Sequence, residues 1–441
     1  MTAASPHTRT GFWSSTRARH MIPIAFVTYS LAYLDKSNYS IGSAGGMAQD
    51  LHMSSGTNAL AAASFFLGYF LFQIPGTVYA ERRSARRLVA WSTVVWGVLA
   101  MVQGLLDSAA LLIAARFLLG VVEGAVLPSM VMLLSRWFTR RERGRANTFL
   151  ILGNPVTVMW LSAVSGLLVQ ATDWRTMFVV EGLPAVVWGL CCLKLIKDHP
   201  EEAGWLPAEE RASLTTDLAA EQRTQQPPTG AAAYRRVLTS RLVLVLAVQY
   251  FCWSIGVYGF VFWLPSIIKQ ASGEGIGATG LLSAVPYLFA ALAMLVNSQL
   301  SDRRGRRRTA VWPWLTVAAL ALYGSYLAEG AFALSFILLI VAGLCLYAPY
   351  GPYFALVSDQ APKNVSGAAV ALVNSFGALG SFTGTYLVGW VRGSSLGDAG
   401  AFGLMAAGTL VSAALIALVR ERPAAPVPAG EEAREPTARP A

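Results

Sequence analysis

The sequence predicts an all-α polytopic membrane protein, with twelve transmembrane helices arranged as two pseudo-symmetric six-helix bundles. Composition is the first reason: of 441 residues, 55% are hydrophobic and only 13% charged, with a mean hydropathy of +0.50. A water-soluble globular chain carries about 25% charged residues. The balance here excludes a disordered protein, a coiled coil and nearly every water-soluble enzyme of this length. The second reason is a series of twelve apolar runs, each near the ~20 residues that take a helix across hydrocarbon. Ten-residue alternation of the kind that builds membrane β-barrels does not occur. The third is that the series repeats, six runs and then six more.

Taken in order, residues 1–20 form a tail with Arg9, Arg17 and Arg19. The apolar run that follows is too long for a signal-peptide core and has no small-residue cleavage site, so it reads as a first span that stays. The N-terminal bundle, 21–196, contains spans at 21–43, 57–80, 87–106, 108–134, 146–170 and 176–196. A polar middle loop, 197–240, continues as Pro207-Ala-Glu-Glu-Arg-Ala-Ser-Leu214, which predicts a short surface helix with acids in its first turn. A flexible segment around Gln225-Gln-Pro-Pro-Thr229 comes next. The C-terminal bundle, 241–420, contains spans at 241–268, 278–300, 309–328, 331–357, 364–391 and 400–420, and the Pro- and Ala-rich tail 421–441 reads as disordered. Pro155, Pro265, Pro349 and Pro352 are expected to kink their helices. Cys191, Cys192, Cys252 and Cys345 lie in apolar runs without metal spacing and read as small buried hydrophobes.

The net charge of +10 would suggest nucleic acid in a soluble chain. Its distribution says otherwise. Twenty-nine of the 34 lysines and arginines fall in the tails, the middle loop and the loops on one side of the predicted spans. Three (Arg175, Lys269, Arg392) fall on the opposite side, and Lys36 and Arg116 lie within spans. Basic residues collect on the cytoplasmic side of a membrane protein, so both termini are expected in the cytoplasm. The large partner is the lipid bilayer, not nucleic acid.

The first loop of each half carries a related string, Glu81-Arg-Arg-Ser-Ala-Arg-Arg87 and Asp302-Arg-Arg-Gly-Arg-Arg-Arg308, at an offset matching that of the two halves. Paired six-helix repeats are a transporter architecture with substrate near the midplane between them. On these features the chain resembles the major facilitator superfamily over nearly its whole length. The second string fits that family's loop motif at Asp302, Arg303, Gly305, Arg307 and Arg308. The first departs more, keeping Arg82, Arg86 and Arg87 but with Glu81 and Ser84 for Asp and Gly. The resemblance implies a conformational latch at these loops.

Four ionisable residues lie well inside spans: Asp35 and Lys36 in the first, Arg116 and Glu123 in the fourth, with Glu181 near the end of the sixth. Each costs about 2.5–3.5 kcal/mol at the bilayer centre on insertion scales, so they must face protein, water or one another. Arg116 and Glu123 are two helical turns apart, about 10.5 Å along one face, and Gly120 between them lets another helix approach closely. Tyr29, Tyr33, Lys36 and Ser40 share a face of the first span, while Asp35 points about 100° away. Lys36 can then face the cavity and Asp35 can face Arg116. A purely structural ion cluster is the alternative, although buried ion pairs stabilise poorly.

More narrowly, the chain is similar to the anion:cation symporter family, whose bacterial members take up sugar acids and other carboxylates with protons. The similarity rests on Asp35-Lys36-Ser37-Asn38, on Arg116-Phe-Leu-Leu-Gly120-Val-Val-Glu123-Gly124 and on Asp198-His-Pro200-Glu201-Glu202-Ala203-Gly-Trp205-Leu206. It continues in Phe262-Trp263-Leu264-Pro265, Ala284-Val-Pro286-Tyr287, Ser301-Asp302-Arg303 and Asn374-Ser-Phe-Gly377-Ala-Leu-Gly380. It implies that Asp35 and Glu123 exchange protons, that Arg116 tunes Asp35, and that Lys36 binds a substrate carboxylate. Lysine stands where the family carries arginine and lacks the planar two-donor fork. Tyr33, Tyr69, Asn154, Tyr258 and Asn374 match positions the family places around its cavity.

The expected activity is therefore proton-coupled import of a small organic anion, such as a hydroxy or sugar acid, by alternating access in a monomer. No cofactor or metal is expected. No phosphate-binding loop occurs, and the four histidines (His7, His20, His52, His199) lie outside the predicted spans. The competing readings are a proton-coupled drug or metabolite exporter and a transporter-like sensor that does not transport. Gly153-Asn154-Pro155 is only a fragment of the exporter signature.

Overall fold

The computed structural model describes residues 12–224, 239–304, 306–328, 330–360 and 366–419. The N-terminal residues before 12, the Gln225 segment, Gly305, Lys363 and the C-terminal tail lie outside the described residues. So does the side chain of Asp302. All regular structure among the described residues is helical. The spans are Thr16–Gly42, Ser55–Arg82, Ala85–Gln103, Ala109–Glu123 continued by Val126–Trp137, Arg140–Ala171 and Trp174–Leu195. The second half follows as Arg241–Ser272, Ile276–Arg304, Trp312–Leu327, Phe332–Tyr347 continued by Tyr350–Gln360, Ser366–Arg392 and Gly397–Leu418. Among the described residues, ten of these are long and apolar enough to cross a bilayer on length and composition alone. The first and eleventh complete the set. Asp35, Lys36 and Asn38 dilute the first, and Gly, Ser, Thr and Asn dilute the eleventh.

The helix starts follow from capping chemistry. Ser15, Ser54, Ser84 and Asp173 each stand just before a helix, with a side-chain oxygen accepting an N–H of its first turn. Thr139 and Glu142 form a reciprocal capping box, which starts the fifth span at Arg140, six residues before its apolar run. The first span likewise begins at Thr16. Two expected spans are each broken: the fourth at Gly124–Ala125, immediately after Glu123, and the tenth at Ala348–Pro349. Helix runs unbroken through Pro155 and Pro265, whereas the chain leaves helix at Pro349. The acidic middle-loop helix is present as Ala208–Thr224, with Glu209 and Glu210 in its first turn.

Both halves pack by the same rule. Span one packs on five, two on four and three on six; in the second half seven packs on eleven, eight on ten and nine on twelve. The halves meet through span five against eight and span eleven against two, with one against seven at the centre. This pseudo-two-fold pattern puts the first and fourth spans beside the seam between bundles. Close crossings need glycine. A Cβ on Gly120 would fall on the Phe65 carbonyl, and one on Gly68 on that of Phe117, so the second and fourth spans touch backbone to backbone. Leucine, valine and isoleucine side chains such as Leu71, Ile74, Leu183 and Leu320 stay exposed around the outside, as a lipid-facing surface requires. Cys191 joins that exposed surface and Cys252 is half-buried, so only Cys192 and Cys345 are the buried hydrophobes expected.

Candidate functional site

The charged residues of the first and fourth spans come together at the seam. Asp35, Lys36, Arg116 and Glu123 are all at least nine-tenths buried, Arg116 completely. Lys36 Nζ donates to Glu123 Oε1 in an ion pair sealed from solvent. The ammonium lies 4.8 Å from the Tyr33 ring centroid, 5.3 Å from Tyr69 and 5.4 Å from Phe65, within the distance at which an aromatic face attracts a cation. Glu123 Oε2 has no hydrogen-bond partner among the described residues.

Arg116 reaches Asp35 through the backbone: Nη1 donates to the Asp35 carbonyl at 3.1 Å. Its guanidinium stacks 4.7 Å from Tyr39 and 5.2 Å from Phe65. Both Asp35 carboxyl oxygens are buried without a hydrogen-bond partner among the described residues. Opposite them Glu181 is 5% exposed and accepts from Ser165 Oγ at 2.5 Å, so the depth left open by the sequence resolves to full burial. Among the described residues the cluster thus holds one closed ion pair, Lys36–Glu123, and two further carboxyls, Asp35 and Glu181, with no cation within ion-pair distance.

The polar residues expected around the cavity divide between the bundles. Tyr33 and Tyr69 enclose Lys36. Tyr258 faces them from the seventh span through Phe66, whose ring lies 4.7 Å away. Asn154 is buried in the fifth span with Oδ1 unpartnered among the described residues, and Asn374 is half-buried in the eleventh. Its neighbour Ser375 donates to Gln73 Oε1 across the seam at 3.3 Å, a contact that sequence reading missed because an isolated Gln in an apolar run carries no spacing signal.

At the first loop motif the bridging carboxylate among the described residues is Asp198. Its oxygens accept from Ser84 Oγ at 2.5 Å and Arg86 N at 3.0 Å, and Arg136 lies 3.7 Å away. Asp198 therefore ties the third span's start to the fourth span's end. Arg86 also donates to the Leu193 carbonyl, while Glu81, Arg82 and Arg87 are exposed. In the second half Arg308 donates to the Ala417 and Val419 carbonyls at 3.3 and 3.1 Å, a cation on a helix C-terminus. Arg307 donates to Ser301 Oγ at 3.2 Å, and Arg303 is exposed. The Asp198–Leu206 string packs beneath the first bundle, with Trp205 stacked between His20 (3.9 Å) and Trp137 (5.2 Å).

The comparisons with known proteins agree with this architecture. The Major Facilitator Superfamily profile matches residues 25–385 and 270–440. A protein named putative tartrate transporter from Agrobacterium vitis is 31% identical over 418 residues, covering 92% of this chain and 91% of its own length. The inner membrane transport protein RhmT of Escherichia coli K12 is 31% identical, covering 90% and 91%. A quinolone resistance transporter of Acinetobacter baumannii is 28% identical over 84% and 86%. Among solved structures, a bacterial homologue of the human lysosomal transporter Spinster, inward-facing, superposes with a TM-score of 0.71 at 14% identity, covering 94% and 96%. A D-xylose-proton symporter gives 0.70 at 13%, covering 91% and 97%. At such identity these two share the fold.

Proposed function

Since the chain belongs to the major facilitator superfamily, we propose that it imports a small hydroxylated carboxylate, of which tartrate is the first candidate, together with protons. The observation that carries this reading is the sealed Lys36–Glu123 ion pair. A buried ammonium needs a counter-charge, and two candidates compete for it: the Glu123 carboxylate and a substrate carboxylate. When Glu123 takes a proton, Lys36 is released to bind substrate. When substrate leaves, Glu123 gives up its proton and reclaims Lys36. Proton and anion are then obliged to travel together, because either one alone leaves a charge uncompensated in a site walled by Tyr33, Phe65 and Tyr69. Asp35, held beside Arg116, supplies a second carboxyl that can exchange a proton. The basic loops argue that both termini face the cytoplasm, so the ends of the spans opposite the termini, the far ends, face outward.

Purified protein in proteoliposomes should accumulate labelled tartrate under an inward proton gradient. Glu123→Gln should abolish gradient-driven accumulation while keeping tartrate exchange, since the amide leaves Lys36 free. Unchanged accumulation in that variant rejects the coupling role. The name of the Acinetobacter relative supports an exporter as the second reading; there, accumulation of a quinolone would require the opposite gradient.

A further inference from the structure

At the far end, a cleft of about 690 Å³ opens between the bundles, with Ser43, Asn58, Trp263, Ser266, Lys269 and Arg392 among its walls. Only three lysines or arginines belong to this side of the sequence, and two of them line this one cleft. The third, Arg175, is engaged elsewhere by Asp107 at 2.6 Å. Arg392 is neutralised by Asp398 at 2.5 Å and held by Gln270 at 2.6 Å. Lys269 is not neutralised: Nζ donates to the Ala44 carbonyl at 2.6 Å, and no carboxylate of a described residue is within ion-pair distance. Ala44 belongs to a π-helical turn, Ser43–Met47. An ammonium has three N–H donors, and this contact uses one. The charged walls thus sum to one excess positive charge in a concave site, which concentrates anions.

The cleft leads toward the buried cluster. Its floor, Ser43, Asn58 and Trp263, also lines a small void of about 10 Å³ with Tyr39, Ser40 and Phe262. There Tyr39 Oη donates to Asn58 Oδ1 at 2.8 Å, and Asn58 Nδ2 donates to Ser43 Oγ at 2.8 Å, closing the neck. Lys36 lies one helical turn beyond Tyr39 on the same span, and Arg116 stacks on the Tyr39 ring.

We propose that the far-end cleft is an anion-docking site in which Lys269 receives a carboxylate before the Tyr39–Asn58–Ser43 neck opens to Lys36; the identity of that anion as substrate rests on the importer reading above. Hydroxyls of Ser43 and Ser266 and the Asn58 amide suit a small polyhydroxy acid rather than an apolar one.

The test places a thiol one turn from Lys269, as Ser266→Cys in a chain whose four native cysteines are alanine. Modification rates by an anionic and a cationic methanethiosulfonate are compared with Lys269 present and as Lys269→Gln. The anionic-to-cationic rate ratio should fall about tenfold without Lys269 and recover in Lys269→Arg. In the native-cysteine chain, Lys269→Gln should raise the KM for tartrate entering from the cleft side by a similar factor with kcat unchanged. An unchanged ratio overturns the docking site, as does a fall in kcat without a change in KM, which would mark the Ala44 contact as structural. If wild-type protein carries no tartrate, the substrate reading fails, and the thiol ratio still decides whether the cleft collects anions.

Discussion

Lys36 presents its charge as one compact ammonium, and the surrounding geometry compensates for the missing fork of an arginine. Three aromatic faces lie within 5.4 Å of Nζ, and Glu123 supplies the counter-charge. Removing one member of a buried pair strands the other, at about 3–5 kcal/mol. Lys36→Ala should therefore lower the apparent melting temperature of the detergent-purified protein and abolish tartrate-induced stabilisation. Adding Glu123→Gln to it should restore most of the melting temperature but none of the tartrate response. Equal melting of the single and double variants would mean the pair contributes nothing to folding. Asp35, Lys36, Arg116 and Glu123 were legible in the sequence because charge is rare inside spans. Their partners were not: helix spacing shows which residues share a face, but it does not choose between Glu123 and a cavity for Lys36, or between the backbone and the carboxylate of Asp35 for Arg116.

At the scale of a helix, the site depends on how each span begins and crosses its neighbour. The sixth span, which carries Glu181, starts at Asp173, whose carboxylate accepts from the Thr176 N–H at 2.6 Å. That backbone hydrogen bond holds the carboxyl below the usual aspartate range. A depressed value stabilises the fold above the ordinary aspartate pKa of about 3.9 and loses that contribution as pH falls through the depressed one. Asp173→Ala should lower the melting temperature at neutral pH, corresponding to about 1 kcal/mol for a lost cap. The gap from wild type should shrink on acidification toward pH 3. A gap that is independent of pH would remove the charge from the account. Such caps were not legible as a hydropathy signal, which is why the first and fifth spans begin earlier than their apolar runs.

Across the whole molecule, an alternating-access cycle would need the far ends of the bundles to close and part. Beside the open cleft, the fifth and eighth spans meet there through small residues: a Cβ on Gly166 of the fifth span would lie 2.8 Å from Gly280 Cα and 2.9 Å from the Ile276 carbonyl of the eighth. Gly166→Leu should hold these ends apart, so that Ser266→Cys is modified severalfold faster while tartrate accumulation falls. Unaltered labelling would show that this crossing does not gate the cleft. The cleft itself was hidden in the sequence, since Lys269 and Arg392 are 123 positions apart and only the crossing of spans seven and eleven brings them together.

The chain's own pattern was sufficient for what depends on transfer from water to lipid: the apolar spans, their repetition in two sets and the identity of the buried charges. Each of these is written locally, in runs of apolar residues and in exceptions to them. Packing of one helix on another decided the rest. Backbone contact at Gly120 and Gly68 seats the fourth span, which carries Glu123, against the second, Asp198 reaches from the middle loop to join two helix ends, and the seam between bundles forms the cleft around Lys269. Those are contacts between residues remote in sequence, and their partners are chosen by shape and charge complementarity that a linear pattern does not encode.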